Sequence, residues 1–315
     1  MGALNTEAFT GITYGVMGMG TEGGKTPYRI TVAATGGWNG TLIASSGYSV
    51  GAMQFDFGQR GRVVDPQTKK SYADSFVDAV NNWADANGQP RLSSAINSTL
   101  LTKGSGITWM SSTDRASITD FGGTAVGQGW INSHLEKGLI KEYEAKISPV
   151  LSSKAFDGWS EADVIVATAV FSKAANQSPN GGFVRLAALA EKSGLNGESY
   201  GLNNFLEHVK QVESGNSAFH FTKAADIAKD YVVLRDSPEF GVIIEAAERK
   251  IADPSFTPSS IAPDSDLWFM RKVNSDPKFR SDLKSALGQL DANQTEPSVG
   301  TTGQAKSRSS IVLIP

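Results

Sequence analysis

A single carboxylate, Glu22, stands in "MGMGTEGGK" (residues 17–25), directly before two glycines. Further on, "SSGYSVGAMQFDFGQRG" (residues 45–61) gathers Tyr48, Ser49, Gln54 and Asp56, with Trp38 ahead of them in "GGWNG". A carboxylic acid kept protonated by apolar surroundings can donate a proton to a poor leaving group. Val16, Met17 and Met19 are the apolar residues nearest Glu22 in sequence. The Ser49 hydroxyl suits the holding of an attacking water and Asp56 its activation, while Tyr48, Gln54 and Trp38 offer stacking surface and amide hydrogen bonds. Each has a plainer role to weigh. For Glu22 the lesser reading is a solvated helix-end charge, while Tyr48 reads equally as cross-strand packing and Gln54 as strand polarity. Asp56, between Phe55 and Phe57, reads first as structural, and Trp38 as a turn or packing residue. His134 and Glu136, in "NSHLEKGLIKEYE", read as an exposed helix face, and no Gly-x-Ser-x-Gly elbow supports a serine hydrolase.

The elements that must position these residues can be read from periodicity. Asn5 can cap a helix running to about Gly20, with Phe9, Ile12 and Val16 on one face, and Gly23 and Gly24 ending it after Glu22. Its internal glycines cost helix propensity but permit close approach of a neighbour. "YRITVAATGGWNGTLIASSGYSVGAMQFDFG" predicts two or three short antiparallel strands with tight turns. Helical patterns follow. One starts near Asp74, carries Phe76, Val80 and Trp83 on one face, and is closed by Gly88. Others start near Ser117, Ser133 and Ser160, the last with a capping-box-like Ser160–Asp163 pair. That helix, apolar almost all round, belongs at the centre. Further helices are expected near Leu202–Val212, Lys223–Arg235, Glu239–Ile251 and Ser265–Leu290. Asn176 and Gln177, near the end of the central helix, are placed to face a cleft. The pattern gives an α+β fold, with a β lobe over about residues 25–62 beside a helical lobe over about 72–290. Together these make one domain, 1–290, and the polar stretch 291–315 reads as a flexible tail.

Composition bounds the function. The chain of 315 residues is 40% hydrophobic and 19% charged, which suits a globular protein with a large core. A net charge of −3 offers no general attraction to nucleic acid, and none is expected as a partner. Without cysteine there is no disulfide, thiolate chemistry or cysteine-zinc site. That composition fits work in more than one redox compartment. The histidines, His134, His208 and His220, lack metal-ligand spacing, so no metal and no cofactor is expected, an oxygen-ligated cation being left open. No window approaches a membrane span, and "MGALNTEAFTG" is not a secretory signal.

Several segments, in order, resemble the lysozyme-like superfamily. Glu22-Gly23-Gly24 resembles the Glu-Gly ending the first helix in phage-type lysozymes and endolysins. Gly47-Tyr48-Ser49-Val50-Gly51 is similar to their Gly-Tyr-Thr-Ile-Gly strand. Gly51-Ala52-Met53-Gln54 is similar to the Gly-x-Met-Gln of goose-type lysozymes and lytic transglycosylases. "AVFSKAANQSPNGG" (169–182) resembles the later helix lining the cleft floor. The resemblance covers about residues 5–180 and implies a β-hairpin lobe beside a helical lobe, with the cleft between them. It implies a muramidase that cleaves the glycan strands of peptidoglycan, with Glu22 as general acid. Beside that acid, the candidates for catalytic roles are Ser49 and, as a substitute second acid, Asp56, and the candidate substrate contacts are Tyr48, Gln54, Trp38 and Asn176. Where phage-type lysozymes carry an aspartate just before the strand, this chain has Ala44-Ser45-Ser46. That departure keeps a transglycosylase using the same acid as an alternative. Chitosanase-like activity and a non-catalytic glycan-binding or phage-tail module are further ones. With no signal peptide, release from a phage or delivery by a secretion apparatus would bring the protein to the periplasm or wall of a target bacterium, and an immunity protein would be a further partner.

Overall fold

The computed structural model describes residues 4–22, 27–35, 38–42, 45–195, 200–215, 219–253, 255–256 and 265–294. Asn5 caps the first helix, its Oδ1 accepting the Ala8 N–H at 2.8 Å, which satisfies one orphan donor of the helix start. Helix α1 (Thr6–Ile12) continues without a break as a π-helical segment, Thr13–Glu22. Five short strands follow: β1 (Thr31–Val32), β2 (Ala34–Thr35), β3 (Thr41–Leu42), β4 (Tyr48–Val50) and β5 (Phe55–Asp56). The order β1-β4-β5 makes an antiparallel sheet in which Ser49 lies opposite both Thr31 and Asp56, and β2 pairs with β3 separately.

The remainder is helical: α2 (Phe57–Arg60), α3 (Tyr72–Ala86), α4 (Ile96–Leu100), α5 (Ser112–Gly122), α6 (Ala125–Ile131), α7 (Lys137–Leu151) and α8 (Glu161–Gln177). Then come α9 (Val184–Leu195), α10 (Leu202–Ser214), α11 (Phe221–Arg235), α12 (Gly241–Ala252), α13 (Asp266–Ser275) and α14 (Pro277–Gln294). A short π-helical turn, Asn132–Glu136, joins α6 to α7. A mainly helical chain with a small antiparallel sheet belongs to the α+β class. No helix of the described residues is long and apolar enough to cross a membrane.

The first helix is enclosed rather than half-exposed. Ala8 through Met19 are all buried. Helix α12 packs on α1, helices α11 and α13 on the π segment, and α8 on both. The glycines mark the contacts: Gly11 meets the Glu248 side chain, Gly15 meets Met270, Gly18 meets Met53 and Gly20 meets Ile227. Each costs up to about 1 kcal/mol of helix propensity, and each lets a neighbour approach closer than a side chain would allow. A buried polar node fixes the segment's rotation. The Tyr14 and Tyr28 hydroxyls pair at 2.8 Å, and Asn132 Nδ2 donates to Tyr28 at 3.0 Å. Helix α8, capped by Ser160 at the Asp163 N–H, is buried from Val164 to Ala175, the central position its all-round apolar sequence predicts.

Several boundaries differ from the sequence expectation. Helix α5 starts earlier, capped by Ser111, and Ser117 is a buried interior residue. Ser133 also lies inside a helical run, its hydroxyl donating back to the Gly129 carbonyl at 2.8 Å, the bond by which a mid-helix serine disposes of its donor. The helix expected over Ser265–Leu290 is two, because Pro277 forces Asp276 into an extended conformation. Asp276 then caps α14 by accepting from the Lys278 and Phe279 N–H groups. Helices α4 and α9 were not foreseen. Gly23 and Gly24 lie outside the described residues. So does most of the expected tail, since α14 runs to Gln294 and residues 295–315 are not described.

Candidate active site at the end of the first helix

The π segment ends at Glu22, whose Oε1 accepts from Lys173 Nζ of α8 at 2.5 Å. The lysine side chain is 1% exposed and the glutamate 14%. Burial lowers the Lys173 pKa, while attraction to Glu22 works against that shift. Among the described residues Lys173 is the only hydrogen-bond partner of the Glu22 carboxylate. Asn176 lies three residues beyond Lys173, on the same helix face, and its Oδ1 accepts from the Tyr143 hydroxyl of α7 at 2.7 Å. Burial raises the Tyr143 pKa far above its ordinary value, and the negative charges of Glu22 and Glu136 add to the rise. Glu22, Lys173, Asn176 and Tyr143 thus form one polar patch where three helices meet.

The turn between β4 and β5 lies against the same π segment. Met53 packs on Gly18, one turn before Glu22. Its N–H donates to Glu136 Oε2 at 2.9 Å. Glu136 is 1% exposed, and burial pushes its pKa up to about 8, the Met53 bond opposing the rise. Its Oε1 has no hydrogen-bond partner among the described residues and faces Gly51. Gln54 has φ +56°, and both ends of its amide are tied: Nε2 donates to the Gly51 carbonyl at 2.9 Å and Oε1 accepts from Thr31 Oγ1 at 2.6 Å. Ser49, opposite Thr31, shares its sheet face. Thr31, Ser49 and Gln54 therefore make a polar strip on the sheet.

The other expected site residues are engaged in structure. Asp56 is nearly buried and caps α2: Oδ1 accepts the Gln59 N–H at 3.1 Å, and Oδ2 accepts the Gly47 N–H at 3.1 Å and the Ser46 hydroxyl at 3.3 Å. With both oxygens committed, it is placed as a clamp rather than as a base for water. Tyr48, expected to contact substrate, is fully buried. Its hydroxyl donates to the Thr108 carbonyl at 2.9 Å and accepts the Met110 N–H at 2.8 Å. Its ring is thus not available as a binding surface. Trp38 packs against Tyr48 and Trp109, and the Arg115 guanidinium lies 4.5 Å over its ring. The structure brings Trp38 together with Tyr48, and Asn176 with the Glu22–Lys173 pair; among the described residues no hydrogen bond or ring contact joins the two groups. The expected exposed face at His134 and Glu136 is corrected. Glu136 is buried, and His134 stacks on Trp130 and pairs with buried Asp65 at 2.8 Å.

A groove between α10 and α11, lined by Tyr200, Asn204, Glu207, His208 and Asp226 among others, contains none of these residues. No group of acidic, histidine or cysteine side chains among the described residues is arranged to hold a metal ion. Comparison with protein-family models, with curated proteins and with solved structures finds no match to this chain.

Sequence reasoning missed Lys173, Tyr143 and Glu136. Lys173 did carry a signal, as the one charged residue in the buried run Val164–Ala175 of α8. Glu136 carried none, since it sits among charges that do face water. Chemically, the patch offers one carboxylate with a cation behind it, a neighbouring amide and phenol, and a second polar strip on the sheet.

Proposed function

We propose that the protein is a glycosidase of the bacterial cell wall, with Glu22 as its acid and a lysozyme-like arrangement of sheet and helices. The observation carrying this reading is the placement of the Glu22 carboxylate at the end of an enclosed helix, backed by Lys173 and Asn176 of the central helix. One helical turn away, the Gly51–Gln54 turn packs against the same segment. Cleaving a glycosidic bond needs a proton delivered to the leaving oxygen while positive charge develops on the sugar ring. A carboxyl group at this site supplies both the proton path and a nearby negative charge.

The commitment of both Asp56 oxygens favours one version of the reaction. A hydrolase with two carboxylates needs a second one free to activate water. Without it, the muramic acid 6-hydroxyl is the better nucleophile, which is the outcome of a lytic transglycosylase. The test is turnover of purified peptidoglycan with mass spectrometry of the product ends. Anhydro ends are expected, lighter by one water than reducing ends. Glu22→Gln keeps the shape and an oxygen for Lys173 to bond, and turnover should fall by about 10²–10⁴-fold with melting temperature retained. Near-parent turnover by that variant would remove Glu22 as the acid and with it the proposal; a parent that leaves purified peptidoglycan intact would favour a non-catalytic glycan-binding module.

A further inference from the structure

We infer that Lys173 is the proton source for Glu22, a positioning residue that reloads the acid rather than a structural counter-ion; this rests on the glycosidase reading above. The geometry has three parts. The Nζ···Oε1 distance is 2.5 Å, within reach of proton exchange. The lysine is sealed at 1% exposure, while Glu22 keeps 14% on the open side. Lys173 is the one charged residue in the continuously buried run Val164–Ala175 of α8, where a neutral amine is easier to accommodate than an ammonium. The lysine's lowered pKa points the same way.

The step balances. An Nζ–H bond of Lys173 breaks as its proton passes to Oε1. The carboxyl group protonates the leaving sugar oxygen, which also takes the electron pair of the broken C1–O bond. Lys173 is left as a neutral amine and Glu22 as a carboxylate facing the positive C1. When the 6-hydroxyl oxygen, or water, bonds to C1, its proton returns through Glu22 to Lys173. The pair carries one proton at the start and one at the end, and no other reactant is needed.

Among the described residues, the charged and titratable groups facing the pair are Lys223 of α11, Glu213 of α10 and Tyr143 of α7. All three are left unchanged in the test, which compares Lys173→Arg, Lys173→Met and the parent on purified peptidoglycan from about pH 4 to about pH 10. Arginine keeps the charge but holds its proton throughout this range. A relay predicts that Lys173→Arg loses about 10²-fold or more at every pH. It also predicts that Lys173→Met keeps activity only in acid, where a lone carboxyl is protonated, and that the parent loses activity as Lys173 deprotonates at alkaline pH. A structural ion pair predicts instead that Lys173→Arg is within a few-fold of the parent, or that Lys173→Met keeps the parent's alkaline limb. Either result overturns the inference.

A carbon-13 titration of the Lys173 Cε and Glu22 Cδ signals in the parent gives a readout that needs no turnover and no folded variant. Expected is a Lys173 transition below the ordinary lysine range that the Glu22 Cδ signal follows; a Lys173 transition in the ordinary range, with no response at Glu22 Cδ, would overturn the relay. A parent that shows the expected transition but leaves peptidoglycan intact would instead sink the glycosidase reading, and with it the relay's role in catalysis.

Discussion

Glu136 and Gly51 occupy what would otherwise be the same space. A Cβ on Gly51 would lie 1.8 Å from Glu136 Oε1, and Gly51 has φ +92°. The glycine of the Gly51-Ala52-Met53-Gln54 stretch is thus required twice, once by its backbone and once by the buried acid beneath it.

Gly51→Ala should therefore destabilise the protein by more than about 2 kcal/mol. Adding Glu136→Ala removes the clash and leaves only the backbone strain. Thermal melts of the two single variants and the double variant should show the double variant more stable than additivity predicts. Strict additivity would mean that the two residues do not compete for space.

Glu136 also makes stability depend on pH. Its carboxyl is held protonated up to about 8 in the folded protein, against an ordinary value of 4.5. Between those values the folded state binds a proton that the unfolded chain releases, so stability falls as pH rises through that window. The full penalty, on the order of a few kcal/mol, is reached above the folded value. Glu136→Gln cannot ionise. Its melting temperature relative to the parent should rise steadily from acid to mildly alkaline pH. A gap that stays constant with pH would show that Glu136 is not held neutral.

Asp56→Asn separates a clamp from a base. The variant loses charge at three hydrogen bonds, including the cap of α2. Its cost should be about 0.5–2 kcal/mol, with turnover on peptidoglycan near that of the parent. A variant as stable as the parent but as inactive as Glu22→Gln would make Asp56 the catalytic base and restore a two-carboxylate hydrolase.

Local signals in the sequence were enough for the Asn5 and Ser160 caps, the central helix and the short strands. For the caps the deciding partner lies three residues away, and for the central helix and the strands the pattern is carried within the segment itself. The failures share a different cause. Glu22 and Lys173 are separated by 151 positions, and Glu136 reaches Met53 across 83. Whether such charges are buried is decided by what packs on them, and a charge that meets a distant partner has the same local pattern as one that meets water. The same limit applies to Tyr48. Between stacking surface and cross-strand packing the local pattern did not decide, and the segment carrying Thr108 and Met110 buries its ring.

The enclosure of the first helix has a consequence for how the molecule is made. Gly11 rests on Glu248 and Gly15 on Met270, partners near the opposite end of the described chain. Contacts at such separations are the slowest to form, and synthesis delivers the N-terminal end first. The segment bearing Glu22 must therefore wait, without its walls, until α12 and α13 have been synthesised. A chain still short of them carries the glutamate on a glycine-rich segment without its packing partners. Synthesis of those two helices thus acts as a timer on whatever Glu22 does.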